Sequence, residues 1–223
     1  MLMQEARERI AEYGRRMSSA GLSIGTSGNI SVFDREAGLM AISPSGIDYF
    51  ETEASDVVVM RLDGTVVEGE RKPSSEAGLH ARIYEVKPFA GGVVHTHSTY
   101  CTTLAVLHEP LRGVHYAIAE LGAAEMPVAP YRRFGSVELA EAVADTLAAT
   151  PAKGCIMANH GMVVCDATLD GAFALASNCE WAAGIQWRAM CAGTPQPLTG
   201  EQMDEALAAF ATYGQVPDPE PEG

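Results

Sequence analysis

The sequence predicts an α/β (α+β) fold built as one domain, and three observations carry this reading. Stretches with apolar residues at a spacing near 3.6 alternate with short β-branched or apolar runs. Glycine, proline, aspartate and serine punctuate the boundaries as turn chemistry. The 223 residues, 47% hydrophobic and 20% charged, suffice for one sizeable core, and the chain has no internal repeat. Helices alternating with short strands around one sheet satisfy all three.

The elements follow in order. Leu2, Ala6, Ile10, Tyr13 and Met17 keep helical spacing, so residues 2–19 form an amphipathic helix ended by Gly21. NISVF (29–33), GLMAIS (38–43) and DVVVMRL (56–62) read as strands, separated by Asp34, Pro44-Ser45-Gly46 and Asp63-Gly64. Residues 74–87 return to helix, GGVVHTH (91–97) is a strand by its valines, and STYCTTLAVL (98–107) is a helix. EMPVAP (125–130) is a strand and SVELAEAVADTLAAT (136–150) a helix. GCIMAN (154–159) and GMVVCD (161–166) are strands joined at His160, followed by a long, mostly apolar helix over 169–192. EQMDEALAAFATYG (201–214) is the last helix. The domain is expected to span 1–215, and the tail VPDPEPEG (216–223), with nothing to pack, is expected to be disordered.

Composition excludes several functions. No apolar run reaches the length of a membrane span, and MLMQEARERI is charged from its fifth residue, so it is neither signal peptide nor anchor. A cytoplasmic protein is expected. The five cysteines form no CxxC pair and lie in apolar stretches, which reads as reduced core thiols. A net charge of −14 opposes capture by nucleic acid or anionic lipid. An anionic substrate must be held by local chemistry.

Alternate residues of a strand share a face, so His95 and His97 present two imidazoles side by side with Thr96 turned away. That is metal-ligand geometry. A catalytic zinc site takes three protein ligands and leaves one position open, and His160, at a strand end before Gly161, is the third candidate. The plainer alternative is a set of strand-end histidines bonded to backbone carbonyls. His80, His108 and His115 have weaker claims. Three loops rich in glycine and hydroxyls, GTSGN (25–29), SPSGI (43–47) and KPSSE (72–76), can each bind an anion through backbone N–H groups, as nests or at a helix start. The alternative is ordinary turns, and helix capping by Ser74 and Ser75 with Glu76 favouring the dipole.

GTSGN, SPSGI, KPSSE, VVHTHS, VHYAIAELGAAEMPVAPYRRFGS, NHGMVV and FATYG, in this order over essentially the whole chain, resemble the class II aldolase/adducin family. The likeness is greatest to its L-fuculose-1-phosphate aldolase branch. The resemblance implies a central, mostly antiparallel sheet with helices on both faces, and a homotetramer with active sites at subunit interfaces. It implies zinc, or another divalent ion such as Mn2+ or Co2+, on His95, His97 and His160, with Glu76 as resting fourth ligand and acid/base. It implies that Thr26, Asn29, Ser45, Gly46, Ser74 and Ser75 bind phosphate. Tyr116 from a neighbouring subunit would exchange the proton at the aldehyde oxygen, and Phe134, Phe210 and Tyr213 would line the aldehyde end. The expected substrate is a phosphorylated ketose: L-fuculose, 5-deoxyribulose or 5-methylthioribulose 1-phosphate, cleaved to dihydroxyacetone phosphate and an aldehyde. No lysine stands in these motifs except Lys72, which opposes a Schiff-base route. Pentulose-5-phosphate 4-epimerases and methylthioribulose-1-phosphate dehydratases share the fold, but Tyr116 and FATYG favour an aldolase. A non-enzymatic adducin-like head lacks the metal histidines. Serine in place of alanine within GTSGN is a departure from the pattern and bears on which aldehyde is taken.

Overall fold

The computed structural model describes residues 1–210. Helix α1 (Gln4–Ser19) leads into β1 (Asn29–Asp34), β2 (Leu39–Ile42), β3 (Val58–Met60) and β4 (Val66–Glu68). Helix α2 (Ala77–Val86), β5 (Gly92–Thr96) and α3 (Thr99–Leu107) follow. A short pair, β6 (Leu111–Arg112) and β7 (Glu125–Met126), brackets a 3₁₀ helix at Tyr116–Leu121. Then come β8 (Val128–Ala129), α4 (Val137–Ala148), β9 (Gly154–Met157), β10 (Gly161–Asp166), α5 (Leu169–Ala192) and α6 (Gly200–Phe210).

Eight strands form one sheet in the order β4-β3-β2-β1-β5-β10-β9-β8, antiparallel throughout except for β8 on β9. Both faces are covered, because the central strands β5, β9 and β10 bury apolar residues on both sides. Val94, Ile156 and Val164 pack with Ile10 and Met17 of α1, Leu104 of α3 and Leu175 of α5. Their strand neighbours Val93, Cys155 and Val163 pack with Leu79 and Ile83 of α2 and Val143 of α4. This is the two-residue period of a strand buried on both faces. The mostly antiparallel sheet with helices on both faces is therefore as expected.

Local chemistry explains where the observed elements depart from the sequence reading. EMPVAP is not one strand: Pro127 has no N–H to give, and the run divides into β7 and β8, which pair with different partners. DVVVMRL keeps only three residues in β3, and β4 and β6 carry too little apolar pattern to be read in advance. Helix α2 begins at Ala77, three residues later than expected, because Ser74 and Ser75 belong to the loop before it. Of the cysteines, Cys191 is exposed, on the solvent side of the last turn of α5, whereas the other four are buried thiols as expected. Among the described residues no helix is long and apolar enough to cross a membrane. Tyr213 and the tail at 216–223 lie outside the described residues.

The β9–β10 hairpin lies against β5 with no room for a side chain at Gly161, where a Cβ would stand 2.2 Å from the Thr96 carbonyl oxygen and 3.2 Å from His97 Cδ2. Gly161→Ala should therefore lower the unfolding free energy by about 1–3 kcal/mol, the usual cost of forcing an extra group into a packed site. Denaturant titration measures this, and a change inside ~0.5 kcal/mol would mean that the hairpin moves freely off β5.

Candidate active site

The register of three neighbouring strands builds the site. Asn29 of β1 pairs with His95 of β5, and His95 pairs with Val163 of β10, so Asn29 and His95 sit side by side on the sheet face covered by α2. His97 lies just past the end of β5 and His160 in the turn before β10. The turn is tight: His160 N–H donates to the Met157 carbonyl at 3.0 Å, and Asn159 adopts a left-handed φ of 53°. The three imidazoles converge with ring centroids 4.8–4.9 Å apart, and their candidate ligand nitrogens lie within 4.8 Å of one another. His95 Nδ1 donates to the Met162 carbonyl at 2.8 Å, which leaves Nε2 to face its partners.

Glu76, at the N-cap position of α2, completes the cluster. Its Oε2 is 3.2 Å from His95 Nε2 and its Oε1 is 3.4 Å from His160 Nε2, while His95 Nε2 is 3.0 Å from His97 Nε2. A tetrahedral ion with bonds near ~2.1 Å has ligand atoms about 3.4 Å apart, so these spacings suit a common centre. Glu76 Oε1 is buried and has no hydrogen-bond partner among the described residues. Orphaned buried carboxylate oxygens are costly, and a cation is what would satisfy this one. Three imidazoles with one carboxylate fit a borderline transition-metal ion better than calcium or magnesium. The plainer reading of the histidines, as strand ends bonded to carbonyls, holds only for His95 Nδ1, the nitrogen turned away from the cluster.

Charge states agree with this fit. Burial alone would raise the Glu76 carboxyl, but attraction and a hydrogen bond from His95, then the Asn29 amide, outweigh it and hold the group well below the usual carboxylate range. Burial first, and repulsion from His95 second, bring His97 and His160 each down to about 4. Both rings are thus uncharged at neutral pH, the state in which an imidazole can bind a metal.

The three hydroxyl-rich loops meet above this cluster. Pro44 and Pro73 bridge, Ser45 N–H donates to the Lys72 carbonyl at 2.9 Å, and Ser74 N–H to the Ser43 carbonyl at 3.1 Å. Tyr49 Oη donates to the Gly28 carbonyl at 3.1 Å and so pins the first loop. Gly28 must be glycine: its φ is +75°, and a Cβ there would stand 2.7 Å from the His95 carbonyl. The result is a cleft of about 150 Å³ lined by Thr26, Ser27, Asn29, Ser45, Gly46, Ser74, Ser75, Glu76, His97, Phe134 and His160, among others. Its lining includes no lysine or arginine. Ser74 Oγ accepts the Glu76 N–H at 3.2 Å, so this serine shapes the loop and does not cap α2 as the first reading of the helix start allowed.

Two of the expected residues lie apart from the cleft. Tyr116, on the 3₁₀ helix, is exposed and stacks on His115 at 4.4 Å, with Phe210 at 6.2 Å; neither Tyr116 nor Phe210 lines the cleft. Conversely, His80 is wholly buried beside the site, with Nε2 2.5 Å from Asn29 Oδ1 and Nδ1 2.6 Å from Ser31 Oγ. Burial, then repulsion from His95, lowers its pKa to about 3. It is no metal ligand, and the sequence reading passed over it. Its four-residue spacing from Glu76 on one helix face was the available signal.

The chain belongs to the family described as "Class II Aldolase and Adducin N-terminal domain", which matches residues 8–187. Within that family it is an aldolase, a lyase. It is 42% identical over 215 residues to a 5-deoxy-D-ribulose 1-phosphate aldolase of Bacillus thuringiensis serovar kurstaki, covering 96% of this chain and all of that protein. To a 5-methylthioribulose-1-phosphate/5-deoxyribulose-1-phosphate aldolase of Rhodospirillum rubrum it is 36% identical over 217 residues, 96% of either chain. Among solved structures, an L-fuculose 1-phosphate aldolase superposes with a TM-score of 0.90 at 39% identity, over 95% of this chain and 98% of that one.

The depressed histidines make a pH prediction. Folded His97 and His160 bind fewer protons than the unfolded chain between its ordinary histidine pKa, 6.5, and about 4. Their contribution to stability is therefore fully present above pH ~6.5 and is lost as pH falls. In metal-free protein the denaturant midpoint should drop between pH 7 and 5, and a His97→Gln/His160→Gln double variant should flatten that slope. Equal slopes in the two proteins would show that the rings titrate normally.

Proposed function

We propose that this chain is a zinc-dependent aldolase that cleaves a ketose 1-phosphate between C3 and C4 to dihydroxyacetone phosphate and an aldehyde, in the cytoplasm. The observation that carries the reading is the adjacency of the histidine–glutamate cluster to a cleft walled by hydroxyls and loop N–H groups. Substrates of 5-deoxyribulose or 5-methylthioribulose type stand first, because the aldolases named for them align along nearly the whole chain. L-Fuculose 1-phosphate is the further member of the panel.

His95, His97 and His160 would hold the zinc, with Glu76 as fourth ligand at rest. When bound, zinc supplies Lewis-acid stabilisation for the negative charge that cleavage leaves beside the C2 carbonyl. Thr26, Ser45, Gly46, Ser74 and Ser75 hold the phosphate by dipoles and hydroxyls, which orients C3 toward Glu76. Asn29 borders the same cleft, although its amide also engages Glu76 and His80. Cleavage moves one proton, net, from the C4 hydroxyl to C3. In the condensation direction the Glu76 carboxylate takes a proton from C3 and the Tyr116 phenol gives one to the forming C4 alkoxide. Cleavage reverses both transfers, starting from the Tyr116 phenolate and protonated Glu76, and solvent takes one proton from Tyr116 and returns one to Glu76 to reset the pair. Lys87 and Lys153 are tied to the Thr150 carbonyl and Asp166, outside the cleft lining, which supports a route without a Schiff base.

Activity on a panel of these 1-phosphates, read as dihydroxyacetone phosphate released by the zinc-loaded protein, tests the reading. Glu76→Gln should retain phosphate binding and lose roughly 10²- to 10⁴-fold in turnover, the usual worth of a positioned proton-transfer group. No release from any member of the panel would overturn the assignment.

The second part of the proposal is a ring of four subunits in which Tyr116, Phe210 and Tyr213 of one chain complete the aldehyde end of its neighbour's site, facing Phe134. Its support is that Tyr116 and Phe134 are both exposed, together with Trp181 and Val137, although they are large and apolar. Exposed groups of this kind mark interfaces, and a ring buries one such surface against a different one. Mixing inactive Tyr116→Phe and His95→Ala chains should restore part of the activity, because some mixed sites combine an intact metal cluster with an intact tyrosine. Verified subunit exchange without recovery would place Tyr116 within its own chain's site or outside the reaction.

A further inference from the structure

Behind Glu76 lies a line of polar side chains in which every hydrogen has one possible place. Asn29 Nδ2 donates to Glu76 Oε2 at 3.0 Å. Asn29 Oδ1 is 2.5 Å from His80 Nε2, His80 Nδ1 is 2.6 Å from Ser31 Oγ, and Ser31 Oγ is 2.7 Å from the Tyr84 hydroxyl. Ser31, His80 and Tyr84 are completely buried, and Asn29 and Glu76 nearly so, so water cannot substitute for a missing partner.

The direction of the chain follows from its end. An ionised carboxylate only accepts, so Asn29 must present its NH2 to Glu76 and its oxygen to His80. His80 must then carry its proton on Nε2 and accept at Nδ1. Ser31 must donate to that nitrogen, which leaves its oxygen to accept from Tyr84. The opposite sense would put the Asn29 oxygen against the carboxylate. Asn29 alone could turn its amide over at almost no steric cost; with the line intact, turning it over would require His80, Ser31 and Tyr84 to reverse together.

We propose that His80 is a positioning residue, which with Ser31 and Tyr84 locks the Asn29 amide as donor to Glu76 Oε2 and so fixes the carboxylate with Oε2 beside His95 and Oε1 turned toward His160. The arrangement gives Glu76 a fixed pivot, held at one oxygen while the other changes partner. It deepens the proposed function, resting on Glu76 as the proton-transfer group.

Two measurements decide it, the first without any turnover. In metal-free wild-type protein, long-range 15N–1H correlation should show His80 as the neutral Nε2–H tautomer, and the Asn29 side-chain amide proton should move upfield in His80→Leu. The Nδ1–H tautomer, or an unmoved Asn29 signal, would overturn the proposal. The second measurement is turnover by zinc-loaded protein. Loss of an outer partner of this kind costs on the order of 10- to 100-fold, so His80→Leu should lower kcat by that much, with metal per chain and KM unchanged. His80→Gln, which keeps a donor for Asn29, should recover part of it. A KM effect with kcat unchanged, or kcat within twofold of wild type, would sink the idea. If His80→Leu does not fold, Ser31→Ala takes its place in both measurements, with the same shift of the Asn29 signal expected. Wild-type protein inactive on every ketose 1-phosphate would remove the aldolase reading, and the tautomer and amide signals would still decide the lock.

Discussion

The site depends first on the register of β5 between β1 and β10. Asn29 stands opposite His95, and His95 opposite Val163, so the side chains of the cluster come out on the face that α2 covers. A slip of one residue would send His95 to the other face, among Ile10, Met17 and Leu104, and put Val94 in its place. Two valines, one toward each helix layer, make such a slip expensive. The hydrophobic pattern of a short strand thus sets the geometry of a polar site.

Around that strand the backbone approaches unusually closely. The loop at Gly28 and the hairpin at Gly161 both lie against β5, at His95 and Thr96 respectively. The first draws the hydroxyl-rich loops over the cluster, and the second fixes the turn that carries His160. Side-chain chemistry is therefore concentrated where two glycines let three chain segments meet.

Electrostatics are handled locally. A protein of net charge −14 repels anions at long range, and the cleft lining contains no cationic side chain to compensate. In the proposed reaction its attraction for phosphate would come from hydroxyls, loop N–H groups and the start of α2, whose partial charges are fixed in direction. The uncharged His97 and His160 rings beside one ionised carboxylate suit a divalent cation. An ion held there would be the largest local positive charge, beside the three hydroxyl-rich loops.

Much of this was legible in the chain. The two-residue period of GGVVHTH placed His95 and His97 together, the turn at Gly161 marked His160, and the hydroxyl-rich loops announced themselves by composition, because each of these signals is local. Glu76 was visible as chemistry, but its place among the histidines came through family resemblance, since nothing in KPSSE points a carboxylate at a strand it does not touch in sequence. The division of EMPVAP at Pro127 was readable from the missing N–H, yet which strands would take the two halves was not. His80 was passed over for the same reason: Glu76, His80 and Tyr84 mark a stripe along α2, and Asn29 and Ser31 mark a face of β1, but only the packing of helix on sheet joins the two. Periodicity tells which side a residue is on, whereas what waits on that side is set by pairing between segments far apart in the chain. That pairing, stabilised by burial and closed by complete hydrogen bonding, is what the tertiary structure alone decided.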